Sequence, residues 1–66
     1  MLANNTYNLM AQLIEINKSL WRIKNQYRQD AEDSRCGECI GFWDRLEKDL
    51  EARAKELEGL ISEHFK

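Results

Sequence analysis

Asp30-Ala31-Glu32-Asp33-Ser34-Arg35-Cys36 lies at the middle of the 66-residue chain, and what the backbone does there decides the fold. Upstream, Leu9, Leu13, Ile16, Leu20, Ile23 and Tyr27 alternate steps of four and three residues, which keeps them on one stripe of an α-helix. Downstream, Cys39, Trp43, Leu46, Leu50, Leu57 and Leu60 form a comparable stripe, with Arg53 in one of its positions and Ile40, Ala54 and Ile61 widening it. Continuing the first stripe by its own heptad step turns Asp30, Ser34, Gly37 and Gly41 inward. The second stripe instead turns Trp43 and Leu46 inward, two positions out of step. One unbroken rod cannot bury both stripes on one face, so the chain is expected to double back. Asp30, Glu32 and Asp33 oppose the negative end of a helix dipole and suit the start of a helix, which places the bend at about residues 30–36.

The expected fold is therefore all-α: a single domain, 1–66, made of a coiled-coil-like antiparallel two-helix hairpin. Its first helix runs over about 4–30 and its second over about 36–65. Asn4, Asn5 and Thr6 are the capping candidates for the first helix, Asp33 and Ser34 for the second, and Gly59 is a tolerated weak point near the end. Composition agrees: 42% of residues are hydrophobic and 33% charged, proline is absent and glycine occurs three times, so the frequent tight turns of a small β-protein have no source. A net charge of −2 with interspersed signs makes no basic field for nucleic acid. No long apolar run or positively charged leader is seen, so no membrane association is expected and a cytoplasmic location is the default. In that compartment the two cysteines are expected as thiols or metal ligands rather than as a disulfide.

A second row on the first helix, Tyr7, Ile14 and Trp21 spaced by sevens and flanked by Met10, extends away from the main stripe. One partner helix cannot cover both rows. A homodimeric four-helix bundle is the simplest completion, with Met10, Ile14, Trp21 and Trp43 as the expected interface residues and another protein's helix as the other possible partner. The competing reading lays Trp21 along the surface under the stems of Lys24 and Arg28.

Cys36-Gly37-Glu38-Cys39 falls where the second helix begins, and unpaired backbone N–H groups there stabilise a thiolate. Cys36 and Cys39 are candidate zinc ligands, but a structural zinc takes four ligands, and His64 stands some 25 residues, roughly 38 Å, further along the same helix. A tip-to-tip dimer would bring four cysteines together, an arrangement that resembles the zinc hook at the apex of long antiparallel coiled coils, although Gly37 stands where that family carries proline; an antiparallel bundle would instead bring the partner's His64 near the bend. A disulfide-exchange role resembling thioredoxin rests on the same four residues without that family's βαβ framework. The remaining reading makes Cys39 a small apolar residue of the stripe and Cys36 a thiol with no assigned task.

Lys18, Arg22, Lys24 and Arg28 surround Trp21, a mixture a nucleic-acid surface could use, and two paired hairpins presenting it would resemble in architecture, without a motif match, the RNA-binding helical bundles of plasmid copy control; the ordinary explanation, solvated flanks beside an apolar row, is the one expected. Glu51, Glu56 and Glu58 lack the Glu-x-x-His pair of di-iron bundles and read as surface pairing among Lys48, Arg53 and Lys55. Without a phosphate loop or a nucleophile beside a base, no enzyme and no cofactor other than a possible zinc is expected. Ser19-Leu20-Trp21-Arg22-Ile23-Lys24-Asn25 and Cys39-Ile40-Gly41-Phe42-Trp43 resemble small prokaryotic helical-hairpin proteins of no known activity, which implies the hairpin fold alone. The function expected from the residues is an interaction or scaffold module that self-associates or packs on a partner helix. A zinc-binding hairpin is the alternative, followed by a thiol redox protein.

Overall fold

In the computed structural model, which describes residues 3–64, the chain is helical apart from its ends and one turn. Helix α1, Asn4–Arg22, passes through a π turn at Ile23–Tyr27 into the short helix α2, Arg28–Asp33, and the three make one arm. After a reversal at residues 34–36, α3, Gly37–His64, returns alongside. No strand occurs among the described residues. The result is a rod of 48 × 17 × 13 Å, two helices wide. Residue 65, the expected last position of the second helix, lies outside the described residues.

The turn is closed by the backbone itself. Arg35 occupies the left-handed region at φ 56°, the only non-glycine residue to do so among those described. Its N–H donates to the Glu32 carbonyl and the Cys36 N–H to the Ala31 carbonyl, at 3.0 and 3.1 Å, the paired bonds of a Schellman ending that satisfy carbonyls the helix leaves open. This explains why Asp30, Glu32 and Asp33 stand in the last turn of the first arm, contrary to the dipole argument. An exposed charge at a helix end is worth only about 0.3–1 kcal/mol, and these acids have local partners. The Arg28 guanidinium lies 3.7 Å from Glu32, and the Gln29 amide donates to Asp33 at 3.0 Å. A left-handed arginine costs about 1–2 kcal/mol that glycine avoids. Arg35→Gly is therefore expected to raise stability by about 0.5–1 kcal/mol after glycine's greater unfolded-state entropy is counted, and the melting temperature by about 3–6 °C. Arg35→Ala should give no such gain, and thermal melts of the two variants followed by circular dichroism test the turn conformation directly.

Both expected sets of cap residues are displaced. Ala3, not Asn4, Asn5 or Thr6, is the N-cap of α1, with no side-chain bond, and its carbonyl accepts the Tyr7 N–H at 3.0 Å. Thr6 thereby falls on the inward stripe and is buried. At α3 the cap is Cys36 rather than Asp33 or Ser34, because those two residues still belong to the end of α2 and its closing turn.

The core is a narrow seam. Ile16, Leu20 and Ala54 are buried together, with Leu13, Leu50 and Leu57 packed against them. Towards the bend Ile23, at 2% exposure, and Ala31 continue it. On α3, Ile40, Trp43, Glu47, Leu50, Ala54, Leu57 and Ile61 follow an unbroken alternation of steps of three and four on the inward side, with Leu46 half-buried beside them, whereas Cys39, Arg53 and Leu60 are exposed. The contact line keeps Trp43, Leu50 and Leu57 of the stripe read in the sequence and is rotated elsewhere, from Cys39, Arg53 and Leu60 to Ile40, Ala54 and Ile61, which had seemed only to widen it. Two forces explain the rotation. Arg53 stays out of the seam at the point where the seam is fully buried, beside Ala54, while Glu47, the charge that does enter the line, is only half-buried, and the small Ala54 lets α3 approach Ile16 and Leu20 closely.

On the first arm the π turn performs a comparable correction. The Arg28 N–H bonds back five residues to Ile23, so the helix takes up one extra residue there. Ile23 and Ala31, eight apart, then stand on one stripe, and Asp30, which a regular helix would turn inward, is exposed. The side-chain amide of Asn25 donates to the Trp21 carbonyl at 2.9 Å, a partner for a backbone acceptor at the mouth of the turn.

Candidate functional site: the outer row of α1 and the cysteine bend

Two features remain once the seam is accounted for. Tyr7, Ile14 and Trp21 are 61, 54 and 57% exposed. At about 100° per residue, sevenfold spacing drifts only ~20° per step, so the three make a strip along α1. Met10 beside them is half-buried. The charged heads of Lys24 and Arg28 reach across to α3, Lys24 to Glu51 at 3.8 Å and Arg28 to Asp44 at 3.2 Å, and Trp21 keeps 57% of its surface exposed. Of the other cations around Trp21, Lys18 lies 3.5 Å from Glu15 and Arg22 donates to the Ser19 hydroxyl at 3.1 Å. All four members of the basic stretch are thus engaged within the chain. Glu51, read from the sequence as pairing along its own helix, ties the two arms together, while Arg53 and Glu56 do pair along α3 at 2.7 Å. Such exposed pairs are worth about 0–1 kcal/mol each, so they set orientation more than stability.

Trp43, the other expected anchor, is occupied inside the hairpin. It is half-buried, with its ring centroid 5.1 Å from Tyr27 and 5.0 Å from Phe42, the latter edge-on. It ties the two arms at the bend rather than standing on the strip with Trp21.

The second feature is the bend. Cys36 and Cys39 form a disulfide, with Cα atoms 5.2 Å apart, where composition had led to thiols or bound metal. The local fold brings them together: the Schellman turn delivers Cys36 to the N-cap of α3, three residues before Cys39 on the first helical turn. The sulfurs are not equivalent. Cys36 Sγ accepts the Cys39 backbone N–H at 3.1 Å, and the Cys36 carbonyl accepts the Ile40 N–H at 3.0 Å, so the residue caps the helix with both its sulfur and its carbonyl. Cys36 is half-buried and Cys39 exposed. Both line a shallow groove of about 270 Å³ whose other walls include Tyr27, Asp30, Ala31 and Trp43.

His64 closes α3 at the end of the rod opposite the bend, and no group of three or more potential metal ligands occurs among the described residues. None of the described helices is long and apolar enough to cross a membrane. No protein-family model, curated protein or solved structure matches the chain.

The sequence had signals for most of this arrangement. The strip on α1 was visible as a period of seven. The groove was missed, because it depends on Tyr27 and Ala31 sharing a side with Trp43 across the bend, and the π turn that sets Ala31 inward leaves no simple mark in composition.

Proposed function

We propose that this protein is a self-associating helical hairpin, a scaffold or interaction module whose unit is a homodimer of four helices joined through α1. The observation that carries this reading is the exposed strip Tyr7, Ile14 and Trp21 on a rod whose own seam buries few side chains. Surface area supports it. The chain exposes 5178 Å², while a compact 7.8 kDa monomer is expected to expose about 4,400 Å². The excess, roughly 800 Å², is what one partner contributes to an interface of standard size. The radius of gyration, 14.9 Å against about 11 Å for a compact domain of this length, reports the same elongation.

Charge favours a second copy of α1, running antiparallel, as the occupant. From Asn4 to Ile14 the helix carries no Asp, Glu, Lys, Arg or His, whereas from Glu15 onward it carries Lys18, Arg22, Lys24 and Arg28. A parallel pair sets like halves side by side, cation beside cation, although Lys18, Lys24 and Arg28 each have a carboxylate of their own chain nearby. An antiparallel pair, with its two-fold axis at Ile14, lays the cationic half over the uncharged half and seats Trp21 against Tyr7 of the second copy. In that arrangement the two bends point to opposite ends, so the four-cysteine zinc site of a tip-to-tip dimer has no place in it.

Mass in solution and cross-linking test the reading together. Light scattering is expected to give twice the chain mass at micromolar concentration, and Trp21→Glu to give a folded monomer, with association weakened at least ~100-fold by loss of a central aromatic. In a Cys36→Ser, Cys39→Ser background that keeps Tyr7, Ile14 and Trp21, Ala11→Cys with Asn17→Cys, two positions related by the axis at Ile14, should form intermolecular disulfides and Asn17→Cys alone should not. A monomeric wild-type chain removes the proposal. Cross-linking by Asn17→Cys alone replaces the antiparallel pair with a parallel one.

A further inference from the structure

The geometry of the bend points to a thiol–disulfide exchange site, at which the Cys36–Cys39 disulfide oxidises a cysteine pair in an apolar peptide segment held in the groove beside it. This goes beyond self-association and does not depend on it, because the bend lies beyond the α1 strip and is free in a monomer or an antiparallel dimer.

Three observations converge. Of the two residues of the disulfide, Cys39 is exposed and Cys36 half-buried. The Cys36 sulfur already accepts a backbone N–H at the first turn of a 28-residue helix, so negative charge that develops on it is stabilised where it forms. Beside both sulfurs lies a groove walled by Tyr27, Ala31 and Trp43, with Asp30 as its one acidic wall. Access selects Cys39 as the sulfur to be attacked, and the hydrogen bond selects Cys36 as the one to leave.

The exchange then balances. A thiolate of the partner attacks Cys39 Sγ; a sulfur–sulfur bond forms between them, the Cys36–Cys39 bond breaks, and its electron pair goes to Cys36 Sγ, which the Cys39 N–H holds as the thiolate. The partner's second thiolate attacks the partner sulfur of this mixed disulfide, closing the partner's own disulfide and releasing Cys39 as a thiolate. Two electrons pass from the partner to this protein, and the two protons lost by the partner's thiols go to Cys36, Cys39 or solvent. The apolar walls supply the recognition. Asp30 adds a preference for a basic residue next to the partner cysteine and disfavours an acidic one.

The oxidised full-length chain is mixed with cysteamine, a cationic monothiol, quenched at short intervals with excess alkylating agent, and the products are mapped by tandem mass spectrometry. The expected product carries cysteamine on Cys39 and the alkyl group on Cys36. Its rate of formation should exceed that of cysteamine exchange with its own linear disulfide by about tenfold, reflecting the stabilised leaving sulfur. Adducts shared equally between the two cysteines, or a rate no faster than the reference, overturn the assignment. Two peptides with the same reduced Cys-x-x-Cys pair, one flanked by aromatic and basic residues and one by serine and glycine, test the groove, with Trp43 fluorescence in a Trp21→Phe chain as the readout. The aromatic peptide should be oxidised several-fold faster, and Tyr27→Ala should remove that advantage. Equal rates for the two peptides in the wild-type chain show that the groove recognises nothing and end the proposal. Should Tyr27→Ala fail to fold, the adduct map and the peptide comparison on the unaltered protein still decide.

Discussion

Deleting Asn25 from the middle of the first arm should leave the hairpin folded, while deleting Ala52 from the middle of α3 should unfold it. Removing a residue from a regular helix turns everything beyond it by about 100° relative to everything before. In α3 that separates Trp43 and Leu50 from Ala54, Leu57 and Ile61, so only half of the inward line can face the first arm. Each Leu or Ile withdrawn from the seam forfeits about 2–3 kcal/mol. A core this small rarely supplies more than about 3–5 kcal/mol in total, so the loss exceeds the margin. At Asn25 the opposite holds, because the π turn already accommodates one residue too many. Its removal leaves Ile23 and Ala31 seven apart on a regular α-helix, still on one stripe, at the cost of the exposed bond from the Asn25 amide to the Trp21 carbonyl. The deleted chain should keep its helical circular dichroism and melt within a few degrees of wild type. Unfolding of the Asn25 deletion, or a folded Ala52 deletion, contradicts the register described.

The second large effect separates two neighbouring residues of α3. Ala54→Asp places a short carboxylate, too short to reach water, against Ile16 and Leu20, and should cost at least ~3 kcal/mol, enough to leave the chain largely unfolded at room temperature. Arg53→Gln, one residue away, removes only the exposed pairing with Glu56 and should change stability by less than about 1 kcal/mol. Urea denaturation of the two variants reads the difference. Had the stripe through Arg53 been the true seam, the ranking would reverse: glutamine in place of a buried charge would stabilise, and the change at Ala54 would be mild. Equal midpoints for the two variants would return the contact line to its sequence-based position.

The sequence by itself determined that this chain is helical, that it turns back near its middle and that one row of apolar side chains is surplus to the hairpin. These are properties of local spacing: alternating steps of four and three, a mismatch of phase across residues 30–36, and a period of seven in Tyr7, Ile14 and Trp21. The tertiary structure decided which of two adjacent stripes of α3 meets the first arm, since a buried charge at Arg53 and a close approach at Ala54 become alternatives only when another helix is present. It also decided the π turn, a backbone insertion worth making only because Ala31 has a seam to enter. The cysteine spacing was legible throughout. That Cys36 is the capped sulfur and Cys39 the open one, beside a groove made with Tyr27 from the other arm, was not, because a helix cap and a groove wall are relations between segments that only the folded backbone brings together.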